Sequence, residues 1–140
     1  MQEPIGRKMD KIGKMFQTKL QSNLGQLDIE RSFYPLMLIE SGNGITQQEL
    51  AGLLHCDKVQ VVRIIDYLSG NGYVERIQNA ADKRKYELAV TEKARLVLPD
   101  IKNAITDATS VALNSLSENQ VNELNNMLSI IEMNLLDSKK

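Results

Sequence analysis

In the stretch ITQQELAGLLHCDKVQVVRIIDYLSGNGY, residues Ile45 to Tyr73, two helix starts and one helix stop follow closely on one another. Thr46 stands three residues before Glu49, so its hydroxyl can accept the Glu49 N–H while the Glu49 carboxylate reaches back. With Ile45 placed to pack on Leu50, this is a capping box with a hydrophobic staple. The helix that starts there reaches only to about Leu54 before His55, Cys56 and Asp57 interrupt it. Asp57 is a suitable N-cap for a second helix, with Gln60 as its third-position partner and Cys56 able to staple to Val61. That helix, Lys58 to about Asn71, buries Val61, Ile65 and Leu68 on one face. Gly72 supplies the left-handed residue that stops it, with Tyr73 folding back toward Leu68. Two short helices joined by a tight turn are a helix-turn-helix.

Downstream the apolar period becomes two. Tyr73 to Gln78 and Lys85 to Val90 alternate, and NAADKR breaks the pattern between them, which predicts a hairpin. A helix-turn-helix followed by a two-stranded hairpin is a winged helix, so the predicted fold class is mostly α with a small β-hairpin wing.

The flanks are helical. Ile5, Met9, Ile12, Phe16 and Leu20 recur three or four residues apart, predicting an amphipathic helix from about Pro4 to Leu24 with Lys8, Lys11 and Lys19 on its polar face. Another helix covers Phe33 to Glu40, with Pro35 in its first turn or kinking it, and SGNG ends it. After the wing, Thr91 caps a long helix carrying Leu98, Ile101, Ile105, Ala108 and Ala112, with a kink expected at Pro99. Ser117 and Gln120 form a further capping box, stapled by Leu116 and Val121. The last helix repeats Val121, Leu124, Leu128, Ile131 and Leu135, close to a heptad. The reading is of one domain over 1–140: a winged helix-turn-helix region at 28–95 flanked by helical regions at 1–27 and 96–140. The outer apolar stripes exceed what one small domain can bury. Ile5, Ile12, Phe16, Leu124, Leu128, Ile131 and Leu135 are therefore the candidate contacts of a homodimer. A two-fold partner would set two recognition helices roughly 34 Å apart, one turn of DNA.

Composition fits this reading and narrows the alternatives. A chain of 140 residues, 42% hydrophobic and 25% charged, has the makeup of a globular domain. No apolar run approaches the roughly 18 residues that span a bilayer, and the N-terminus lacks the pattern of a secretory signal, so a cytoplasmic location without membrane contact is expected. One cysteine and one histidine exclude a disulfide framework and a zinc site of Cys and His within the chain, and no cofactor is implied. No glycine-rich phosphate loop or metal-ligand cluster speaks for an enzyme. The net charge of −1 divides unevenly: −1 over residues 1–57, +3 over 58–95 and −3 over 96–140. The winged segment is the basic part.

The candidate site is a surface for double-stranded DNA. With Val61, Ile65 and Leu68 inward, the second helix turns Lys58, Val59, Val62, Arg63 and Asp66 outward. Lys58 and Arg63 can meet phosphate or guanine, and Gln60 can pair with adenine if its cap role leaves it free. Val59 and Val62 either meet thymine methyls or pack on the first motif helix or the wing. Thr46, Gln47 and Gln48, opening the first motif helix, are candidates for phosphate contacts. At the wing, Arg84 is the candidate for insertion into a narrow A·T minor groove, with Asp82 orienting it and Lys83 and Lys85 on phosphates. Taken alone, a basic hairpin tip is more often a solvated loop; the preceding helix-turn-helix reverses the balance in favour of the DNA reading. His55 reads as an exposed turn residue and Cys56 as a staple. A redox-active Cys56 stays open, because a helix N-terminus favours a thiolate.

From Thr46 to Arg95 the chain resembles the DNA-binding core of the multiple-antibiotic-resistance regulator (MarR) family. The residues that carry the likeness are Leu50 and Ala51, Asp57, VVRIIDYL, NGYVER, the wing DKR and TEKA, and the flanking helices agree in number and length. Val62 stands where that family commonly has Thr, and Ala94 where it commonly has Gly. The resemblance implies a transcriptional regulator, usually a repressor: a homodimer held by its N- and C-terminal helices on a palindromic operator. It also implies a small phenolic or lipophilic ligand between the dimer and DNA-binding regions, wing roles for Asp82 and Arg84, and a pair between Asp66 and Arg76. Winged helices also serve as protein-interaction modules without DNA, the competing reading. It predicts apolar or acidic residues where Arg63, Lys83, Arg84 and Lys85 stand, though Val59 and Val62 fit it.

Overall fold

The computed structural model describes residues 1–138 except 26, 28, 30 and 31. Its elements are α1 (Ile5–Leu24), α2 (Phe33–Gly42), α3 (Gln47–Leu54), α4 (Lys58–Gly70), β1 (Val74–Gln78), β2 (Tyr86–Val90), α5 (Glu92–Ala112) and α6 (Glu118–Asp137). This is the winged helix expected, mostly helical with one antiparallel hairpin. The boundary placed at residue 28 lies outside the described residues.

Local chemistry sets the element ends. Thr46 Oγ1 accepts the Glu49 N–H at 3.1 Å and Glu49 Oε1 accepts the Thr46 N–H at 3.2 Å, completing the box that starts α3. Ser117 and Gln120 form the same reciprocal pair ahead of α6, at 3.1 and 2.8 Å. Thr91 caps α5, accepting the Ala94 N–H at 3.2 Å, and the helix continues through Pro99. At the end of α4, the Tyr73 N–H donates to the Leu68 carbonyl at 2.9 Å and the Gly72 N–H to that of Ser69 at 3.0 Å. These two bonds make a Schellman stop, and Gly72 supplies the φ of 81° it needs.

The same bonds explain why each strand starts one residue later than expected. The Tyr73 N–H is committed to the helix end, and the Lys85 N–H donates to the Asp82 carbonyl at 3.0 Å inside the turn. The ladder therefore pairs Val74 with Val90 through to Gln78 with Tyr86. A feature absent from the sequence reading completes the sheet. The Leu88 N–H donates to the Ile45 carbonyl at 2.8 Å and Thr46 bridges to Glu87, so the chain entering α3 lies along the outer edge of β2.

The core joins α2, α3, α4, the hairpin and the first half of α5. Ile29, Leu36, Leu50, Ile65, Leu68, Ala94 and Ile101 are fully buried there. A smaller cluster of Leu20, Ala104 and Ala108, covered by Phe16 and Ile105, holds α1 along α5. Across that contact the Asn23 Nδ2 donates to the Ala104 carbonyl at 3.2 Å. Helix α6 buries none of its residues.

Candidate nucleic-acid interface

The buried face of α4 fixes what its other face presents. Val61, Ile65 and Leu68 are 1%, 0% and 0% exposed, which turns Lys58, Val59, Arg63 and Asp66 to solvent. Val59 is 69% exposed, whereas Val62 is half-buried, so the two valines do not play the same part. Asp57 Oδ1 accepts the Gln60 N–H at 2.8 Å. The expected box is one-sided here: Gln60 makes no return bond to the Asp57 N–H, and its side chain stays exposed at the first turn of α4.

The first turn of α3 is where the other candidates meet. Gln47 and Gln48 line a cleft of about 430 Å³ with Ala51, Lys58 and Val61 of the helix pair. With Thr46 they also line a second cleft, of about 510 Å³, together with Arg76, Lys85 and Tyr86 of the wing. Lys58 and Lys85 thus flank the same helix start, a basic rim around backbone N–H groups that a phosphate can accept from. The Thr46 hydroxyl oxygen is already engaged by its own cap.

The wing is braced at its base and its tip. Arg76 Nη2 donates to Asp66 Oδ1 at 2.8 Å, tying β1 to α4, the pairing that the resemblance implied. At the tip, Asp82 Oδ1 accepts both the Arg84 N–H at 3.1 Å and Arg84 Nε at 3.2 Å. That hydrogen-bonded guanidinium holds the Asp82 carboxyl below the usual carboxylate range. The Arg84 side chain nevertheless stands 92% exposed, aimed and unburied. Lys83 and Lys85 are exposed beside it.

Sequence reasoning passed over the residues that shape this tip. Asn79 Oδ1 accepts the N–H groups of Ala81 and Asp82 at 2.8 and 3.0 Å, and Gln78 Nε2 donates to the Lys83 carbonyl at 2.7 Å. The asparagine at the start of a break was the available signal, since its side chain mimics a backbone turn. Also unforeseen was Lys93, whose Nζ donates to the Asn71 carbonyl at 2.7 Å and lies 4.6 Å from the centre of the Tyr73 ring, closing the end of α4.

Cys56 is half-buried behind the start of α4, and burial, with the neighbouring Asp57 second, pushes its thiol upward. The thiolate considered for this helix start is disfavoured, first by burial and then by the adjacent Asp57 carboxylate. His55 is exposed at the left-handed end of α3, with φ of 53°. Cys56 and Gln60 also border an open cleft of about 830 Å³ whose other walls include Lys14 and Gln17 of α1 and Tyr34 of α2.

The candidate dimer residues divide. Ile5 and Ile12 on α1 are 68% and 54% exposed, and Leu128 and Leu135 on α6 are 43% and 60%. Leu124 and Ile131 are half-buried. Phe16 is half-buried against Leu20, Ala104 and Ala108, so part of its surface already serves the protomer's own core. Among the described residues no helix is long and apolar enough to cross a membrane.

Residues 30–86 match the family model described as "MarR family". The HTH-type transcriptional regulator BilQ of Clostridioides difficile (strain CD3) is 29% identical over 100 residues, 71% of this chain and 68% of that protein. A MarR family transcriptional regulator from Listeria monocytogenes, solved in complex with a 26mer DNA, superposes with a TM-score of 0.85 at 26% identity, over 99% of this chain and 92% of its own. A mutant MarR from E. coli, complexed with operator DNA, superposes with a TM-score of 0.82 at 26% identity, over 91% of this chain and 93% of its own. In sequence across residues 30–86 and in fold over nearly its whole length, the chain is similar to the MarR family of transcriptional regulators.

Proposed function

We propose that the chain binds double-stranded DNA as a homodimer and represses transcription from a pseudo-palindromic operator. The observation that carries this is the pairing of two exposed elements that the Arg76–Asp66 bond ties together. One is the outward face of α4 with Lys58, Val59, Gln60 and Arg63; the other is the wing, with Arg84 92% exposed on the Asp82 brace. In this reading α4 lies in a major groove, the start of α3 holds backbone phosphates through Gln47, Gln48 and the Thr46 turn, and Arg84 enters the adjoining minor groove. Val59 is the residue to meet a thymine methyl, and half-buried Val62 mainly supports it. That the similar Listeria and E. coli proteins were solved in complex with DNA supports DNA as the partner.

The dimer is supported by α6, which buries none of its own residues, and by the exposed apolar side chains of α1. A helix of that apolar pattern is not stable on propensity alone and needs a packing partner. The candidate seat for a small phenolic ligand is the cleft of about 830 Å³ between α1, α2 and the start of α4, where polar side chains such as Gln17 and Tyr34 stand beside Pro35, Leu54 and Ile64. Gln60 is shared by that cleft and the α4 face, so an occupant there would disturb the DNA surface and release the operator.

Selection of bound sites from a random duplex pool at near-physiological salt tests the reading. An inverted repeat with A·T-rich flanks is the expected product. Binding that vanishes with salt regardless of sequence, or no enrichment, would sink it and favour a winged helix that reads a protein partner instead.

A further inference from the structure

A side-chain bond to β2 ties the turn at the tip of the wing to the body of the protein, beside the Gln78 bond to the Lys83 carbonyl. Asn79 Nδ2 donates to Glu87 Oε1 at 3.0 Å, while Asn79 Oδ1 accepts the Asp82 N–H at 3.0 Å and Asp82 Oδ1 accepts from Arg84 Nε at 3.2 Å. These bonds form an unbroken relay from Glu87 through Asn79 and Asp82 to Arg84. The amide of Asn79 has only one orientation that fits, since its oxygen faces two N–H donors and its nitrogen faces a carboxylate. Glu87 is the fixed end: its backbone bridges to Thr46 at the start of α3. Its side chain lies against Gly44, where a β-carbon would stand 3.0 Å from Oε2 in a backbone with φ of +99°.

We infer that Asn79 and Glu87 are a positioning pair, which sets where Arg84 stands relative to α4 and thereby the preference for the sequence flanking the operator. Neither residue touches DNA in the docking described above. The pair acts through Arg84, and the inference rests on the reading of the wing as a DNA contact. An arginine held on an exposed loop can discriminate groove width only if the loop holds it at one height. Without the Asn79–Glu87 bond, the turn that anchors Asp82 would keep its local bonds and the Asn79 N–H bond to the Lys85 carbonyl, but lose the side-chain tie that fixes the Asn79 amide to β2.

Exchanging donor and acceptor tests this. Asn79→Asp keeps an oxygen for the Ala81 and Asp82 N–H groups but sets a second carboxylate against Glu87. Adding Glu87→Gln gives that carboxylate an amide donor at position 87 and returns the net charge to that of the parent. The full-length protein is measured against the duplex recovered by site selection, once with A·T and once with G·C flanks, with the thermal midpoint of each variant alongside. Asn79→Asp should lower the A·T-over-G·C preference about fivefold, the size that one net hydrogen bond supports, and the double substitution should restore it at unchanged thermal stability. An Asn79→Asp protein with full preference, or a double variant no better than the single, overturns the inference. If Arg84→Ala loses the preference in that same series, the wing reading stands and only the pair's role falls. A parent protein indifferent to its flanks would remove the wing reading and the positioning pair together.

Discussion

Arg84 and Lys58 represent two kinds of contact that a basic side chain can make, and their substitutions should part accordingly. Arg84 stands 92% exposed with its direction fixed by Asp82, so in the proposed docking its gain would come from a narrow, negative groove. Arg84→Ala should cost roughly 1–3 kcal/mol at A·T-flanked sites and little at G·C-flanked ones, read as the difference between two binding titrations. Lys58 borders the start of α3, the proposed phosphate contact. Lys58→Ala should weaken all duplexes alike and reduce the salt slope by about one. If both variants bound every duplex as the parent does, the docking would be wrong. Both residues were legible as basic positions on a helix and a hairpin. What was not legible is the wiring behind them: Asn79 and Glu87 lie eight residues apart and meet only because the hairpin register sets them diagonally on one face. Cys56 went the other way, for its nearness to a helix N-terminus was visible in the sequence while the burial that raises its thiol was not.

At the scale of elements, the helix starts were legible because capping is local. Thr46 with Glu49, Asp57 with Gln60 N–H, Thr91 with Ala94 N–H and Ser117 with Gln120 each close within three residues, so spacing alone identifies them. Thr46→Ala should accordingly lower stability by about 1 kcal/mol, measured by urea unfolding. It should also loosen the α3 start without altering the recognition face. The edge contact of Ile45 and Thr46 on β2 escaped notice because it joins segments more than 40 residues apart and leaves no period in the chain. Helix α6 poses the converse case: its apolar repeat was plain, yet Leu128 is 43% and Leu135 60% exposed in the single chain. A repeat that the protomer does not bury calls for a second chain. Leu128→Asp with Ile131→Asp should convert a dimer into monomers by light scattering and abolish tight operator binding. A dimer that survived would place the interface elsewhere, with α1 and its exposed Ile5 and Ile12 the next face to alter.

For the molecule as a whole, the two proposed surfaces and the cleft between them form one thermodynamic system. If two α4 helices are held on one two-fold, their half-sites must lie about one helical turn apart, and inserting roughly five base pairs between them rotates one half-site to the far side of the duplex. Binding should then fall to the level of a single half-site. A protein that kept its affinity would be acting as a monomer or through a flexible linkage. The cleft adds a second constraint. Gln60 belongs both to its wall and to the exposed first turn of α4, so a phenolic ligand seated there and DNA seated on α4 compete for the placement of the same helix end. Linkage then requires reciprocity: whatever factor the ligand takes from DNA affinity, DNA must take from ligand affinity. Calorimetric titration of a releasing phenol into free protein and into the DNA complex should give dissociation constants that differ by the same factor as the operator affinities with and without it. Release of DNA with no matching change in ligand affinity would mean that the compound unfolds the protein or acts on the duplex, and the cleft would have no part in regulation.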